Sequence, residues 1–476
     1  MNVTFNRTKI VATLGPSSVD EKMMRKLIET GVDVFRLNFS HGEHEDKQKA
    51  IEQINRINED LTSKVAILCD LQGPKIRLGD IEGEGVMIES GKEISITNQQ
   101  SISSNKQLYV NYEPLPSEVK IGDRILIDDG KLELKVLRSD GKNKVIAEII
   151  YGGIVKSRKG VNLPDTSLSV PSLTEKDKID LTFILTQDID WIALSFVRYA
   201  DDIIELKKLI DEKNHPAKVI AKIEKPEALT NIKGIIQETD GVMVARGDLG
   251  VEVAGERVPL IQKDIVKRCL KAAKPVIIAT QMMESMIENP KPTRAEINDV
   301  ANAVLDGADA VMLSGETAVG DYPVEVINHV VKILDRIESK GRIYNKQIKI
   351  SKTSDSLISD AICHNASIMA NELMAKAIVG MTFSGYTAYR ISSHRPRASI
   401  FIFTANKKIL RTLNLVWGVR VFHYDKFVST DETVLDIKQI LKESGYLRKG
   451  DVMVNLGSMP IKEKGKTNMI RVSIIS

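Results

Sequence analysis

A (β/α)8 barrel carrying an inserted all-β domain and followed by a C-terminal α/β domain is the architecture this sequence predicts, and three observations predict it. Short apolar runs at 9–14, 32–39, 65–71, 191–197, 219–223, 241–245, 275–280 and 310–313 alternate with amphipathic stretches such as 18–29, 44–60, 201–212, 260–273 and 293–306. Eight such strand–helix units match the count of a closed parallel barrel. Polar residues also gather at the C-terminal end of nearly every run, whereas the rival, a doubly wound open sheet, concentrates them at one switch point. Finally, the alternation breaks between Lys75 and about Val170 and restarts after Gly341.

The interruption holds strand-like pieces at 93–97, 124–127, 132–136 and 144–149, separated by Gly, Asp and Asn turn signals and without helical period. It reads as a small β-barrel inserted after the third barrel strand, where a strand-to-helix loop would hold it over the catalytic face. The expected division is a barrel from 1–74 and 171–341, a lid from 75–170 and an α/β domain from 342–476. In the last of these, a helical stretch at 356–372 precedes alternating segments from 377 to 455.

Each strand end was weighed for chemistry. The second run ends in Arg36, Asn38 and Ser40, which share one face by the two-residue period of a strand. The third is followed by Asp70, Lys75 and Arg77, the fifth by Lys222 and Glu224, the sixth by Asp248, the seventh by Thr280 and the eighth by Ser314 and Glu316. Any one of these alone is better explained as a structural ion pair or cap. Gathered on one barrel face they point to a catalytic site. Two carboxylates on neighbouring strand ends with an ammonium between them suit a divalent metal and a transferring phosphoryl group.

Other features carry less. The 476 residues are 28% charged with a net charge of +3, which excludes the concentrated basic excess of a nucleic-acid binder. Cys69, Cys269 and Cys363 lie apart in apolar stretches and read as buried hydrophobes in a reducing compartment. The polar start, Met1 to Arg7, has no signal-peptide character, and no apolar run approaches the ~20 residues of a membrane span. A cytoplasmic protein is expected. His41 and His44 lack a third ligand for zinc. The segment 460–467 fails as a phosphate-binding loop, because Pro460 stands at the first glycine and a strand-like run follows. Gly83 and Gly85 lack the third glycine of a dinucleotide fingerprint. The loop of Thr382, Phe383, Ser384, Gly385, Tyr386 and Thr387 is read equally well as an anion site or as simple helix capping.

Over essentially the whole chain the sequence resembles pyruvate kinase. The matching runs are 8–16, 36–42, Gly73-Pro74-Lys75-Ile76-Arg77, 159–164, 221–225, 243–250, 279–286, 292–302 and 312–318, in family order and spacing. The resemblance implies transfer of the phosphoryl group of phosphoenolpyruvate to ADP, giving pyruvate and ATP. It implies Mg2+ on Glu224 and Asp248, charge stabilisation by Lys222, and a grip on the phosphate by Arg36. Gly247 and Asp248 would present N–H groups to the substrate carboxylate. Thr280, with Ser314 in a relay, would protonate the enolate carbon. Asn38, Phe39, Ser40, His41, Arg77 and the lid's Lys159 would contact the nucleotide. Asn38, Ser40, Asp70 and the Leu71 carbonyl match the family's monovalent-cation position. Lys75 stands where potassium-requiring members carry Glu, so potassium is expected not to be required.

The resemblance further implies a homotetramer and an effector site at Thr382, Ser384, Gly385, Tyr386 and Thr387. Thr433 occupies the place of the arginine that bisphosphate-activated members use, which favours a monophosphate. Two other readings were weighed. A different barrel enzyme of enolate chemistry would not need the lid or Lys159. A non-catalytic relative would be expected to have lost Lys222 or a metal carboxylate, and all are present.

Overall fold

The computed structural model describes residues 4–61, 64–340, 343–346, 348, 350, 355–426, 429–459 and 467–476. The segment 460–466, which holds most of the rejected phosphate-loop motif, lies outside them.

Eight parallel strands close into a barrel: Lys9–Thr13, Val34–Asn38, Ala66–Asp70, Trp191–Leu194, Lys218–Ile223, Gly241–Ala245, Val276–Ala279 and Ala310–Leu313. Each pairs with its sequence neighbours, and the last pairs with the first. The helices fall where the periodicity puts them, as at His44–Asp60, Ala200–Glu212 and Val258–Ala272. Helix Arg294–Asp306 shows the local logic. Thr293 and Glu296 form a reciprocal capping box at its start, and Gly307, at φ 107°, takes the left-handed turn that ends it. The fourth strand is shorter than its apolar run because Phe196 turns left-handed at φ 54°, which aims its N–H at Glu224.

The barrel is filled by side chains, among them Leu68, Trp191, Ile220, Met243, Ile277 and Met312, all buried. Leu415, from the C-terminal part of the chain, completes this cluster at the closed end. Four aspartates repeat there with one role. Asp33, Asp190, Asp240 and Asp309 each precede an even-numbered strand and accept an N–H from the strand before it, at 2.9, 2.9, 3.0 and 3.1 Å. Arg411 and Arg395 reach Asp190 and Asp309 at 3.1 and 3.0 Å, tying the C-terminal part to the barrel base.

Burial pushes the Asp190 carboxyl up to about 6 even with Arg411 beside it. A carboxyl that holds its proton more tightly folded than unfolded costs stability as pH rises toward that value. Arg411→Met should therefore destabilise by about 3 kcal/mol near neutrality, and by less once Asp190 is protonated. Thermal melts near pH 8 and near pH 5 check this; an equal deficit at both would contradict it.

Where a small β-barrel is expected, the chain forms a six-stranded sheet, a two-stranded sheet and single bridges at Arg77–Gly160, Leu78–Val110 and Ile81–Ser103. These enclose a core of their own, including Ile96, Leu108, Leu134 and Ile149. One short helix, Leu115–Glu118, was not foreseen. The C-terminal part has five strands in the order Val419–His423, Ser399–Thr404, Ala377–Met381, Val452–Gly457 and Met469–Ile474, the last antiparallel.

Candidate active site

At the open end of the barrel, Arg36, Asn38, Ser40, Asp70, Lys75, Lys222, Glu224, Asp248, Thr280 and Ser314 all line one pocket of about 80 Å³. Asp70, 1% exposed, is its hinge. One oxygen accepts from Arg36 Nε at 2.7 Å and the other lies 3.2 Å from Lys222 Nζ. Burial opposes the Asp70 charge, but Lys222 and Arg36 outweigh it and hold the carboxyl below its usual range. Arg36 also donates to Thr13 Oγ1 at 3.0 Å.

Lys222 projects from the fifth strand beside Glu224, 3.0 Å away, as the two-residue period requires. Its ammonium also donates to Ser195 Oγ at 2.6 Å, and that hydroxyl donates to the Leu71 carbonyl at 2.7 Å. Burial disfavours the Lys222 charge, yet Asp70 and Glu224 more than restore it, and the group stays an ammonium. Glu224 is pushed up by burial and by Asp248, against the pull of Lys222. A cation shared by the two carboxylates would relieve both.

Thr280 sits left-handed at φ 67°, a costly posture for a β-branched residue. Gly247 N–H donates to its hydroxyl at 2.7 Å, and Arg246 Nη2 to its carbonyl at 2.8 Å. A Cβ at Gly247 would stand 3.3 Å from the Thr280 hydroxyl, close enough that the hydroxyl would have to give by a few tenths of an ångström. Arg246 is fixed in turn by Asp299 at 2.7 Å. Glu316 is not in the pocket; it braces the loops by accepting from Met283 N at 3.1 Å and Ser314 N at 2.7 Å.

Two larger cavities flank the pocket. One, of about 710 Å³, is lined by Ser40, His41 and Arg77; the other, of about 270 Å³, by Lys75, Arg77, Lys159 and Asp248. Lys159 pairs with Asp128 at 2.8 Å. Phe39 is not brought to either cavity: its ring is buried against His44 and Phe183, and its carbonyl takes Lys176. His44 stacks on Phe183 and meets Asp180 at 2.7 Å, the structural role expected of it.

The family described as "Pyruvate kinase, barrel domain" matches residues 5–327, and "Pyruvate kinase, alpha/beta domain" matches 360–473. The chain belongs to the pyruvate kinase family. Curated pyruvate kinases from Corynebacterium glutamicum and Synechocystis sp. are 44% and 43% identical, over 98% of this chain and 98% and 79% of theirs. A solved pyruvate kinase from Cryptosporidium parvum superposes with a TM-score of 0.92 at 33% identity, covering 99% of this chain and 96% of that one. The pyruvate kinase family is one of phosphotransferases, and the fold and the enzyme class of this chain follow from that membership.

Two residues that hold side chains of the candidate site, Thr13 on Arg36 and Ser195 on Lys222, do not stand out in the sequence. They end the first and fourth strands, the two for which no site residue was named. The available signal was a hydroxyl near the end of each apolar run, too common a feature to stand out beside charged groups.

In the candidate effector loop, Thr382 Oγ1 accepts from Gly385 N at 3.0 Å and Ser384 Oγ from Tyr386 N at 3.4 Å, local turn contacts ahead of the helix Tyr386–Ser393. Thr387 is buried against Thr467 at 2.8 Å. Tyr386 and Arg390 converge on Asp360, at 2.5 and 3.0 Å. Thr433 is buried and caps back onto the Ser429 carbonyl.

Proposed function

We propose that this chain transfers the phosphoryl group of phosphoenolpyruvate to ADP with Mg2+, using the residues of the 80 Å³ pocket. The observation that carries the reading is Lys222 held between Asp70 and Glu224 at 3.2 and 3.0 Å, beside Arg36. Among the described residues no group of three or more His, Cys, Asp or Glu could hold a metal. Glu224 and Asp248 line one pocket, and two carboxylates suit a hard cation that would take its remaining oxygens from substrate and water, as Mg2+ does. When bound, such a cation neutralises phosphate and enolate oxygens. Arg36 and Lys222 hold the phosphoryl group as its bond to the enol oxygen breaks and a bond to the ADP oxygen forms. The Gly247 N–H, on exchanging its bond to Thr280 for the substrate, and the Asp248 N–H would orient the carboxylate. The enolate carbon then takes a proton by way of Thr280, with Ser314 alongside.

The insert, 75–170, serves as a lid that brings Lys159 and Arg77 to the nucleotide, together with Asn38, Ser40 and His41, and excludes water. A cytoplasmic homotetramer is what the family resemblance implies. The buried free cysteines accord with a reducing compartment, and among the described residues no helix is long and apolar enough to cross a membrane. The test is pyruvate formation from phosphoenolpyruvate in the presence and absence of ADP and of Mg2+. Turnover without ADP would favour another enolate enzyme.

The C-terminal part, 342–476, is proposed to regulate. The loop of Thr382, Ser384, Gly385, Tyr386 and Thr387 would exchange its local turn contacts for the phosphate of a sugar monophosphate or AMP. Such a ligand should lower the half-saturating phosphoenolpyruvate concentration by about fivefold or more. Activation by a bisphosphate alone, in parallel titrations, would overturn the choice.

A further inference from the structure

Glu252 closes the short helix Arg246–Glu252, one turn beyond Asp248. It is 4% exposed, and a single oxygen accepts from two donors: Lys225 Nζ at 2.7 Å and Asn162 Nδ2 at 2.8 Å. The other oxygen is buried with no partner. Lys225 follows Glu224 directly. Asn162 belongs to the insert, in the strand Val161–Asn162, a few residues after Lys159. The segments bearing Glu224, Asp248 and Lys159 thus meet on one carboxylate oxygen, at the wall of the 270 Å³ cavity between insert and barrel.

The two bonds differ in kind. A buried carboxylate needs a counter-charge, and Lys225, itself buried, supplies it. Asn162 is neutral and does nothing for charge balance. What its directional bond adds is position, and it is position across the seam between insert and barrel. The buried, partner-poor state of Glu252 makes that bond worth more than one on the surface.

We propose that Asn162, Glu252 and Lys225 form a latch that sets the distance from the Lys159 loop to the two metal-binding carboxylates, so that a nucleoside diphosphate meets an ammonium already in place. The proposal rests on the phosphotransfer reading of this cleft. All three act as positioning residues. Arg36 and Lys222 line the smaller pocket and touch none of the three, so loss of the latch should be felt by the nucleotide and spared by phosphoenolpyruvate.

The test uses Asn162→Ala, Asn162→Asp and the swap Asn162→Asp with Glu252→Gln, with KM for ADP and phosphoenolpyruvate measured separately beside melting curves. Asn162→Ala should raise KM for ADP about tenfold and leave that for phosphoenolpyruvate within about twofold, with only a small drop in melting temperature and a folded protein at assay temperature. Asn162→Asp, placing like charges together, should do worse. The swap restores one carboxylate, one amide and the Lys225 counter-charge, and should recover most of the ADP affinity. An unchanged KM for ADP, an equal loss for both substrates, or a swap no better than Asn162→Asp overturns the latch. Failure of the unaltered protein to form pyruvate with ADP would instead defeat the reading of the cleft, and the latch with it.

Discussion

Lys222→Met should lower kcat by about a thousandfold, with little change in KM for phosphoenolpyruvate and a fully folded product. The magnitude follows from charge. An ammonium about 4 Å from a developing negative charge is worth about 4 kcal/mol at an intermediate effective dielectric, which corresponds to three decades in rate. The effect belongs in kcat because the phosphoryl oxygens draw most on that charge as the group passes between enol and ADP. Removing the ammonium also leaves Asp70 and Glu224, each 1% exposed, without the cation between them. Their uncompensated charge adds most to the barrier where phosphoryl charge is greatest, in the transition state, while Arg36 still grips the phosphate in the ground state. Glu224→Ala and Asp248→Ala should abolish metal-dependent turnover in proteins that melt normally, since barrel ends of this sort carry chemistry and not stability. Steady-state kinetics with circular dichroism of each variant check both claims. Near-normal kcat in a folded Lys222→Met protein would remove the assigned role.

What could be read from the sequence follows the periodicities. Barrel strands alternate with helices, and strand period two sends Lys222 and Glu224 the same way, so their pairing at 3.0 Å was legible. Ser195 was not, because its importance is a 2.6 Å contact to Lys222 from a neighbouring strand, and register between strands is not written locally. Arg246 lies within the run 243–250, but its task, holding the left-handed Thr280 through the carbonyl, depends on a backbone turn no periodicity announces. Phe39 was misplaced for a related reason. It lies among true cleft residues, yet strand alternation points it away from Asn38 and Ser40 into the core, which the same period could have indicated. The four base aspartates were invisible singly; only the closed barrel shows that each cross-braces a strand pair.

Wild-type activity is expected to persist without potassium, and Lys75→Glu should create a potassium requirement. Most oxygens at the family's monovalent-cation position are already hydrogen-bonded; Asp70 Oδ1, which accepts no hydrogen bond among the described residues, lies at ion-pair distance from Lys222. Asn38 Oδ1 accepts from Ser40 N at 3.0 Å, Leu71 O from Ser195 at 2.7 Å, and the Asp70 oxygens meet Arg36 and Lys222. Ser40 Oγ is reached by Lys75 Nζ at 3.4 Å, so the lysine turns inward and not to solvent. It lines the catalytic pocket itself, where its ammonium can offset phosphate charge as a bound cation would. Burial, then repulsion from Lys222, holds the Lys75 ammonium below the usual lysine range, with Asp248 pulling the other way. A lowered lysine loses its charge as pH rises, so any stimulation by potassium should grow on the alkaline side and vanish toward neutrality. In Lys75→Glu a carboxylate replaces the ammonium and the pocket gains two units of negative charge, which an added monovalent cation can partly neutralise. The measurement is turnover across pH in a buffer whose only cations are Mg2+ and a large organic ammonium, with and without potassium chloride. Collapse of wild-type activity at neutral pH, restored by potassium, would show that Lys75 does not stand in for the ion. Potassium-independent turnover in Lys75→Glu would show that no cation is needed there at all.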